Sequence, residues 1–400
     1  MARPQRIGTT NWYDDRGNPT FHRHYLGRVI TRQIFVCIIG MFLLILSLLT
    51  ATASLSSGNE PINLTSELNS HVDIQENEIL ALSPELLNIL LKDHTLSTDE
   101  CQVNIFWATD SYASRGEGYQ YADQISTEAI TGDNGNVIVP RAVKSRQEQQ
   151  QRSREMAEVF TPSWICNKQN NLVDNAWFGR EGVFNTEVDH PDGTHSWIVN
   201  TEPVTFPEGK TWRDYVSENR LEITCGEAPY LVSRYDTVTG EPIPVERRIG
   251  LLDRKLRIVG ENTATTGEWL KAAQAAFQST YGYEWQGDNL VLAREALLFT
   301  FIDFFRAKFG KDPQLKSLLD IAYIISWNIW QMDGLKGVIP NSCNSRRTVV
   351  YDLFGQTETI SHCEGCKVGN IKSHNGTYSI IKDWTAPKAK QKIRFIDLLK

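Results

Sequence analysis

The stretch Thr280–Leu298 constrains the fold more than any other part of the sequence. It is typical of a short strand that ends on an acid, Glu284, and leads into a long helix. Strand-forming aromatic residues occupy alternate positions in its first part, at Tyr281, Tyr283 and Trp285. Gly287 then turns the chain, and apolar residues recur at helical spacing as far as Phe305. The residues that predict the helix ends are Asp288 or Asn289 for the cap, and Gly310 and Pro313 for the stop.

The acid at the end of this strand suggests a ligand. In doubly wound α/β sheets an acid in this place accepts the hydroxyl groups of a nucleoside ribose, and the next side chain can cover the base. Glu284 and Trp285 are candidates for these two roles. The alternative is an ordinary strand, loop and helix with an exposed glutamate.

Two further stretches also end a strand on an acid. Leu221–Leu231 carries Glu222 and then turns at Cys225 and Gly226, where the backbone can approach a ligand closely. Trp327–Leu335 is a short apolar strand that delivers Asp333 to a loop. Three strand ends that each present an acid are more than one expects by accident.

The order of these stretches resembles that of N6-adenine DNA methyltransferases of restriction-modification systems. The tripeptide Phe160, Thr161 and Pro162 is similar to the family's "FTP" motif, and the stretches around Glu222, Glu284 and Asp333 are similar to its first three cofactor motifs. The resemblance covers about residues 80–400. It implies a doubly wound, Rossmann-like α/β domain that binds S-adenosylmethionine. Its implied cofactor ligands are Phe160, Thr161, Pro162, Glu222, Cys225, Gly226, Glu284, Trp285 and Asp333.

Two departures from the family limit what the resemblance implies. Ala228 and Pro229 stand where the first motif usually has its second glycine, which leaves the loop less backbone freedom. The sequence also has no Asn-Pro-Pro-Tyr tetrapeptide, the family's motif for the target base, so the catalytic residues are unknown. The implied protein is a modification (M) subunit that contributes to adenine-N6 methylation of DNA together with a second chain. That chain would carry the catalytic motif and the target-recognition region. The alternatives are a catalytically silent methyltransferase-like binding protein and a membrane-anchored interaction protein.

An apolar segment at residues 34–55 has the length of a transmembrane helix. It follows a basic tail, residues 1–33, and precedes a polar linker, residues 56–77. The excess of arginine in the tail places the N-terminus in the cytoplasm and exports the body. This orientation conflicts with the resemblance, which implies a cytoplasmic body. A membrane localisation through residues 34–55 is the prediction.

The remainder divides into an N-terminal region of the body at 78–158, a cofactor-binding domain at 159–338 and a cysteine-containing insert with a terminal strand at 339–400. A net charge of −7 and a pI near 5.7 argue against a protein that coats nucleic acid by overall charge. A local basic groove remains compatible with both values. The polar stretch 144–158 predicts a solvated helix or, alternatively, one whose arginines contact phosphate.

A Cys-x-x-Cys pair, Cys363 and Cys366, has the form of a zinc-binding turn. Cys343 together with His362 or His374 would complete four ligands, and Cys343, Cys363, Cys366 and His374 are the predicted set. The alternative is a pair of free thiols, since the sequence has a single such pair.

Overall fold

The computed structural model describes residues 72–73, 76–156, 158–352 and 355–399. The α-helices are α1 (Glu76–Leu82), α2 (Pro84–Leu91), α3 (Thr127–Ile130), α4 (Arg146–Met156), α5 (Ser163–Phe178), α6 (Trp212–Val216), α7 (Leu251–Asn262), α8 (Thr266–Gln278), α9 (Gly287–Phe309), α10 (Leu315–Asn328) and α11 (Glu364–Val368). The strands are β1 (Asn185–Asp189), β2 (His195–Val199), β3 (Arg220–Glu222), β4 (Thr280–Glu284), β5 (Ile329–Gln331), β6 (Arg346–Asp352), β7 (Gly355–Ser361), β8 (Ile380–Lys382) and β9 (Lys392–Arg394).

The central sheet consists of β3, β4 and β5, which are parallel and follow one another in chain order. Leu221 pairs with Tyr281, and Tyr283 pairs with Trp330. Helices α7 and α8 connect β3 to β4, and α9 and α10 connect β4 to β5. The carboxyl ends of the three strands therefore lie at one edge of the sheet.

The strand and helix predicted from Thr280–Leu298 are confirmed, since β4 ends at Glu284 and α9 begins at Gly287. Nearly every residue in the first four turns of α9 is buried. The helix ends where Gly310 adopts a left-handed conformation with φ 64°. The predicted cap is wrong, because Gln286 is the N-cap while Asp288 and Asn289 lie inside the first turn.

The predicted doubly wound, Rossmann-like architecture is wrong. The parallel sheet has three strands, and the other sheets within the described residues are two-stranded and antiparallel. Because the order β3–β4–β5 never reverses, the sheet has no switch point at which a doubly wound fold binds its ligand.

The two faces of the sheet are covered differently. The helices cover one face. The other face carries apolar side chains of all three strands, and the C-terminal segment, through Ile381 and Phe395, covers it in place of a second helical layer. The predicted terminal strand is correspondingly short: β9 pairs antiparallel with β8, and a 3₁₀ helix, Phe395–Leu398, follows it.

The predicted transmembrane segment, residues 34–55, lies outside the described residues. Within the described part of the chain, no helix is both long and apolar enough to cross a bilayer. The longest, α9, carries charged residues along its length, including Asp288, Arg294 and Arg306. The described part of the chain supports neither the predicted transmembrane helix nor the predicted membrane localisation, and both predictions are corrected to that extent.

Arg294 fastens the N-terminal region to the sheet. Its side chain is 1% exposed and donates to the carbonyls of Leu90, Lys92, Ser326 and Ile329. A buried guanidinium satisfied in this way fixes the end of α2 against β5. Residues from 79 to 329 consequently share one hydrophobic core.

Candidate functional site

The three predicted acids lie at the carboxyl edge of the parallel sheet. Glu222 and Glu284 are the last residues of β3 and β4, and Asp333 follows β5 by two residues. Main-chain bonds hold the strand ends together, since Met332 N donates to Glu284 O at 2.9 Å and Cys225 N donates to Tyr283 O at 2.8 Å. The parallel register brings these side chains to one edge.

The loop after β3 has an unusual backbone. Thr224, Gly226 and Ala228 have φ values of 46°, 53° and 61°, so alternate residues are left-handed. The Glu222 carboxylate accepts the amides of Tyr230 and Leu231 at 3.3 and 3.1 Å and holds the far side of the loop. Ala228, which replaces the expected glycine, nevertheless adopts the conformation that glycine prefers.

Left-handed non-glycine residues cluster at this edge. Within the described residues there are four: Ala108, Thr224, Ala228 and Asn341. Thr224 and Ala228 lie in the loop after β3, and the other two lie in segments that pack beside Trp285 and Tyr121. Each such residue costs on the order of 1–3 kcal/mol, and such strain concentrates at binding and catalytic sites.

The Phe160–Pro162 tripeptide packs onto the same loop. A methyl group built on Gly226 would lie 3.4 Å from the Phe160 ring, so the aromatic ring covers the glycine closely. The Arg141 guanidinium carbon lies 5.2 Å from the centroid of this ring. The Thr161 carbonyl accepts the Thr237 hydroxyl at 3.1 Å. Pro162 is the N-cap of α5 rather than its first residue, which is Ser163.

The two glutamates at this edge are buried and bonded to the protein itself. Glu284 accepts the amides of Gly226 at 2.9 Å and Gln286 at 3.2 Å. Burial raises the pKa of Glu222 well above its ordinary value, and burial also raises the pKa of Glu284. A ligand that donates hydroxyl groups to Glu284 would therefore compete with the Gly226 amide.

Trp285 and Asp333 lie beside Glu222 and Glu284. Trp285 packs with Phe106, Tyr121 and Ile339 in a small apolar cluster. Asp333 is 3% exposed and accepts the amides of Leu335 and Lys336 at 3.0 and 3.2 Å.

Near Trp285, the Asn341 side-chain amide donates to the Tyr121 hydroxyl at 2.8 Å. Tyr121 and Asn341 were not predicted as site residues, because they join the site only through packing between segments 220 positions apart.

A buried ionic cluster at the start of α9 was also missed. Arg152 is the only buried residue of the otherwise polar helix α4. Its guanidinium contacts Glu158 at 2.6 Å, Asp288 at 2.8 Å and the Gln286 side chain at 2.9 Å. Burial acts to raise the pKa of Asp288, but the positive charges of Arg152 and Lys144 outweigh it, and this pKa lies below its ordinary value.

Several buried polar atoms of this cluster have no hydrogen-bond partner among the described residues: Lys144 Nζ, Glu158 Oε1, Asp288 Oδ1 and Asn289 Oδ1. Buried polar atoms are normally satisfied, so these four are candidates for contact with water or with a ligand. Neither prediction for stretch 144–158 foresaw this, since Arg152 contacts carboxylates rather than solvent or phosphate.

The predicted metal ligands come together in the C-terminal segment. Cys343, Cys363, Cys366 and His374 have their ligand atoms within 4.8 Å of one another. The three sulfur atoms lie 3.6, 3.5 and 3.6 Å from His374 Nδ1. A tetrahedral zinc ion with bonds of about 2.3 Å to sulfur and about 2.0–2.1 Å to nitrogen would hold these atoms about 3.6 Å apart. This Cys₃His cluster has the ligands and spacing of a metal site.

The surroundings of the Cys₃His cluster favour His374 over His362 as the fourth ligand. The His362 Nδ1 atom lies 2.9 Å from the Ser345 hydroxyl instead. Gly365 is required for the close approach of His374, because a methyl group there would lie 2.6 Å from His374 N. The Asn375 amide donates to Cys363 Sγ at 3.3 Å, a bond that stabilises a thiolate.

Comparisons of the chain with protein-family models, with curated proteins and with solved structures each return no match. Function therefore has to be inferred from these residues and their geometry.

Proposed function

We propose that this chain is the cofactor-binding subunit of an adenine-N6 DNA methyltransferase of the restriction-modification type, and that it binds S-adenosylmethionine at the carboxyl edge of β3, β4 and β5. One observation carries the proposal. The strained loop, the Phe160 ring and the acids Glu222, Glu284 and Asp333 all meet at that edge.

Each residue has a role in the proposal that its position supports. In the loop from Thr224 to Ala228, the Gly226 amide becomes available to the cofactor when Glu284 releases it, and the Phe160 ring lies over this loop. Glu284 exchanges the Gly226 amide for ribose hydroxyl groups, Trp285 covers the adenine ring, and Asp333 accepts from the adenine amino group. The unpartnered polar atoms beside α9 accommodate the charged amino-acid end of the cofactor.

Methyl transfer itself is assigned to a complex with a second chain and DNA. Transfer requires the target amino nitrogen to be aligned with the methyl group, and misplacement by about 1 Å can cost about 100-fold in rate. The sequence has no Asn-Pro-Pro-Tyr motif to hold that nitrogen.

The Cys₃His cluster is proposed as a structural zinc site. Four protein ligands fill a tetrahedral shell and leave no open position for a substrate. The segment that carries Asn341 is held at one end by a main-chain bond, in which Ile339 N donates to Thr377 O at 2.8 Å. Its other end reaches Cys343, so a zinc ion in the cluster would fix that end as well.

Calorimetry of the full chain with S-adenosylhomocysteine, the demethylated cofactor, tests the cofactor site. We expect Glu284→Gln to weaken binding by about 1–3 kcal/mol, or about 5- to 150-fold. Glu246→Gln, at an exposed glutamate, is the matched control and should leave affinity unchanged. A folded protein that gives no binding heat would refute the cofactor site, and unchanged affinity in Glu284→Gln would refute the role of Glu284.

Transfer of labelled methyl groups to duplex DNA tests the division of labour. We expect no transfer by the chain alone and transfer when a chain carrying the Asn-Pro-Pro-Tyr motif from an adjacent gene is added. Robust transfer by the chain alone would overturn the assignment of the target base to a partner.

A catalytically silent binding protein is the second candidate. One observation favours it: the carboxylates of Glu222 and Glu284 are already bonded to main-chain amides, so the edge is closed by the protein's own groups. Absence of cofactor binding, together with retained binding to the methylating partner, would support this candidate over the first.

A further inference from the structure

The hairpin formed by β8 and β9 carries a basic and aromatic surface that no proposed role has used. We call it the basic-aromatic surface and define it by Lys382, Lys388, Lys390, Lys392, Tyr323 and Trp384. Lys388, Lys390 and Lys392 are exposed, and Tyr323 is 42% exposed. The chain has a net charge of −7, so this concentration of lysines runs against its overall balance.

Aromatic rings position one of the lysines. The Lys382 ammonium lies 4.1 Å from the centroid of Trp384 and 4.7 Å from that of Tyr323. It also donates to the Tyr323 hydroxyl at 3.1 Å. The Trp384 indole is fixed in turn by donating to the Asn328 side chain at 2.7 Å. Cation–π contacts of this kind hold a cation without neutralising it.

The register of the hairpin places like charges together. Lys382 and Lys392 are direct cross-strand partners, and both lie within 6 Å of the Trp327 ring. Like charges opposite each other destabilise a strand pair. The hairpin keeps this arrangement because Ile381 and Phe395 anchor it in the apolar layer over the sheet.

Within the described part of the chain, no ion pair compensates these charges. Among the ion pairs of the described residues, none involves Lys382, Lys388, Lys390 or Lys392. Asp383 is turned to the Thr385 amide and hydroxyl at 2.9 and 2.6 Å.

His94 lies close enough to Lys382 and Lys392 for their charges to affect its pKa. Burial, with the charges of Arg294, Lys92, Lys382 and Lys392, lowers the pKa of His94 to about 2.

We propose that the basic-aromatic surface binds the phosphate backbone of duplex DNA. Uncompensated lysines attract phosphates, and release of condensed counterions supplies the binding free energy. The inference rests on the proposed function in that DNA is the proposed substrate, and it adds where the duplex is held.

The surface lies at the amino edge of the sheet, opposite the candidate cofactor site. Tyr281, near the start of β4, donates to the Lys382 carbonyl at 3.1 Å. The strands that separate the two edges are up to five residues long, a length of about 17 Å. Contacts to phosphate there would position the duplex without reading its sequence.

The test is titration of the full chain against a fluorescent 30-base-pair duplex at several salt concentrations. We expect the triple variant Lys388→Gln, Lys390→Gln, Lys392→Gln to weaken binding at least tenfold. Because each phosphate contact contributes about 0.9 to the slope of log K against log salt, the slope should fall by nearly 3. A triple variant at Lys168, Lys271 and Lys311, three exposed lysines elsewhere in the chain, removes the same charge and is the control.

Equal weakening by both triple variants would show a general charge effect and overturn the proposal. Unchanged binding by the first variant would also overturn it, as would tighter binding of single-stranded RNA or polyglutamate than of the duplex. Calorimetry with S-adenosylhomocysteine on the same variant keeps the two questions apart. Retained cofactor binding with lost DNA binding is the expected result, whereas failure of cofactor binding in the parent protein concerns the proposed function alone.

Discussion

The Cys₃His cluster and the carboxyl edge of the parallel sheet differ in what already satisfies their functional atoms. In the cluster, three sulfur atoms surround one nitrogen at 3.5 to 3.6 Å, a spacing that a metal ion explains. At the edge, Glu284 accepts a hydrogen bond from the Gly226 amide, and the neighbouring Asp288 forms an ion pair with Arg152. One site is shaped for its ligand, whereas the other is closed by groups that a ligand must displace.

This difference teaches that proximity of the expected residues is a weaker indication of binding than the state of their hydrogen bonds. The cluster brings four potential metal ligands together, and thiol groups bond only weakly to one another. The edge combines satisfied carboxylates with strain at Thr224 and Ala228 and with unpartnered atoms beside α9. The strain and the unpartnered atoms are what distinguish it from an ordinary sheet edge.

The largest expected effect is loss of metal from the cluster. We expect the purified full chain to contain about one zinc ion per molecule and Cys363→Ser to remove it. Structural zinc binds small domains with about 10–16 kcal/mol, so the C-terminal segment should lose its protection against proteolysis. Cys101→Ser, at an exposed cysteine outside the cluster, is the control. A metal-free parent whose melting temperature is indifferent to chelator would contradict the prediction.

The next effect concerns the ionic cluster at the closed edge. Arg152→Ala removes the close cation of the buried acids Asp288 and Glu158 and leaves Asp288 only the more distant Lys144, at 3.9 Å, which should cost about 3–5 kcal/mol in the free energy of unfolding. Arg154→Ala, at an exposed arginine of the same helix, should cost less than about 0.5 kcal/mol. Urea denaturation measures both, and equal costs would mean that the Arg152 contacts do not hold the edge closed.

A pH effect of a few kcal/mol should come from two buried acids in the N-terminal region, Glu76 and Asp73. Burial raises the pKa of Glu76 to about 9 and that of Asp73 to about 7. The unfolded chain ionises near pH 4, so stability should be lost as pH rises from there toward these values. Zinc binding has the opposite dependence, because acid protonates the ligands.

The urea midpoint at pH 6 and pH 9 measures the pH effect. Glu76→Gln should flatten the dependence, while Glu78→Gln, at an exposed glutamate of the same helix, should preserve it. A midpoint that rises with pH in the parent protein would contradict the expectation.

The smallest effect is relief of backbone strain. Left-handed Ala228 costs about 1–2 kcal/mol, and glycine loses about 0.5–1 kcal/mol more entropy on folding than alanine. Ala228→Gly should therefore stabilise the protein by up to about 1 kcal/mol. Ala272→Gly, within α8, should instead destabilise it by about 1 kcal/mol. Destabilisation by both variants would show that the loop does not store strain.

The sequence predicted the features that depend on neighbouring residues. The alternating aromatic residues before Glu284, and Gly310 after the apolar run, correctly indicated β4 and the end of α9. The Cys-x-x-Cys spacing indicated the metal cluster, although the choice between His362 and His374 required the structure.

The errors have a common physical origin. The sheet's second face is covered by residues near Ile381 and Phe395, and no local pattern shows that they replace a helical layer. Arg152 lies in a helix that reads as solvated, yet its side chain is buried against Asp288, 136 positions away in the chain. Long-range packing decides both outcomes, and periodicity within a window of residues does not report it.

The hairpin of β6 and β7 lies between the first and second ligands of the Cys₃His cluster. A metal ion that joins Cys343 to Cys363 is therefore also a reversible cross-link across a loop of about twenty residues, which can restrict the unfolded chain by about 3 kcal/mol. Doubling the length of such a loop changes its closure entropy by only about 0.6 kcal/mol. Evolution can consequently lengthen or shorten this hairpin at little thermodynamic cost, as long as a bound ion links Cys343 to Cys363.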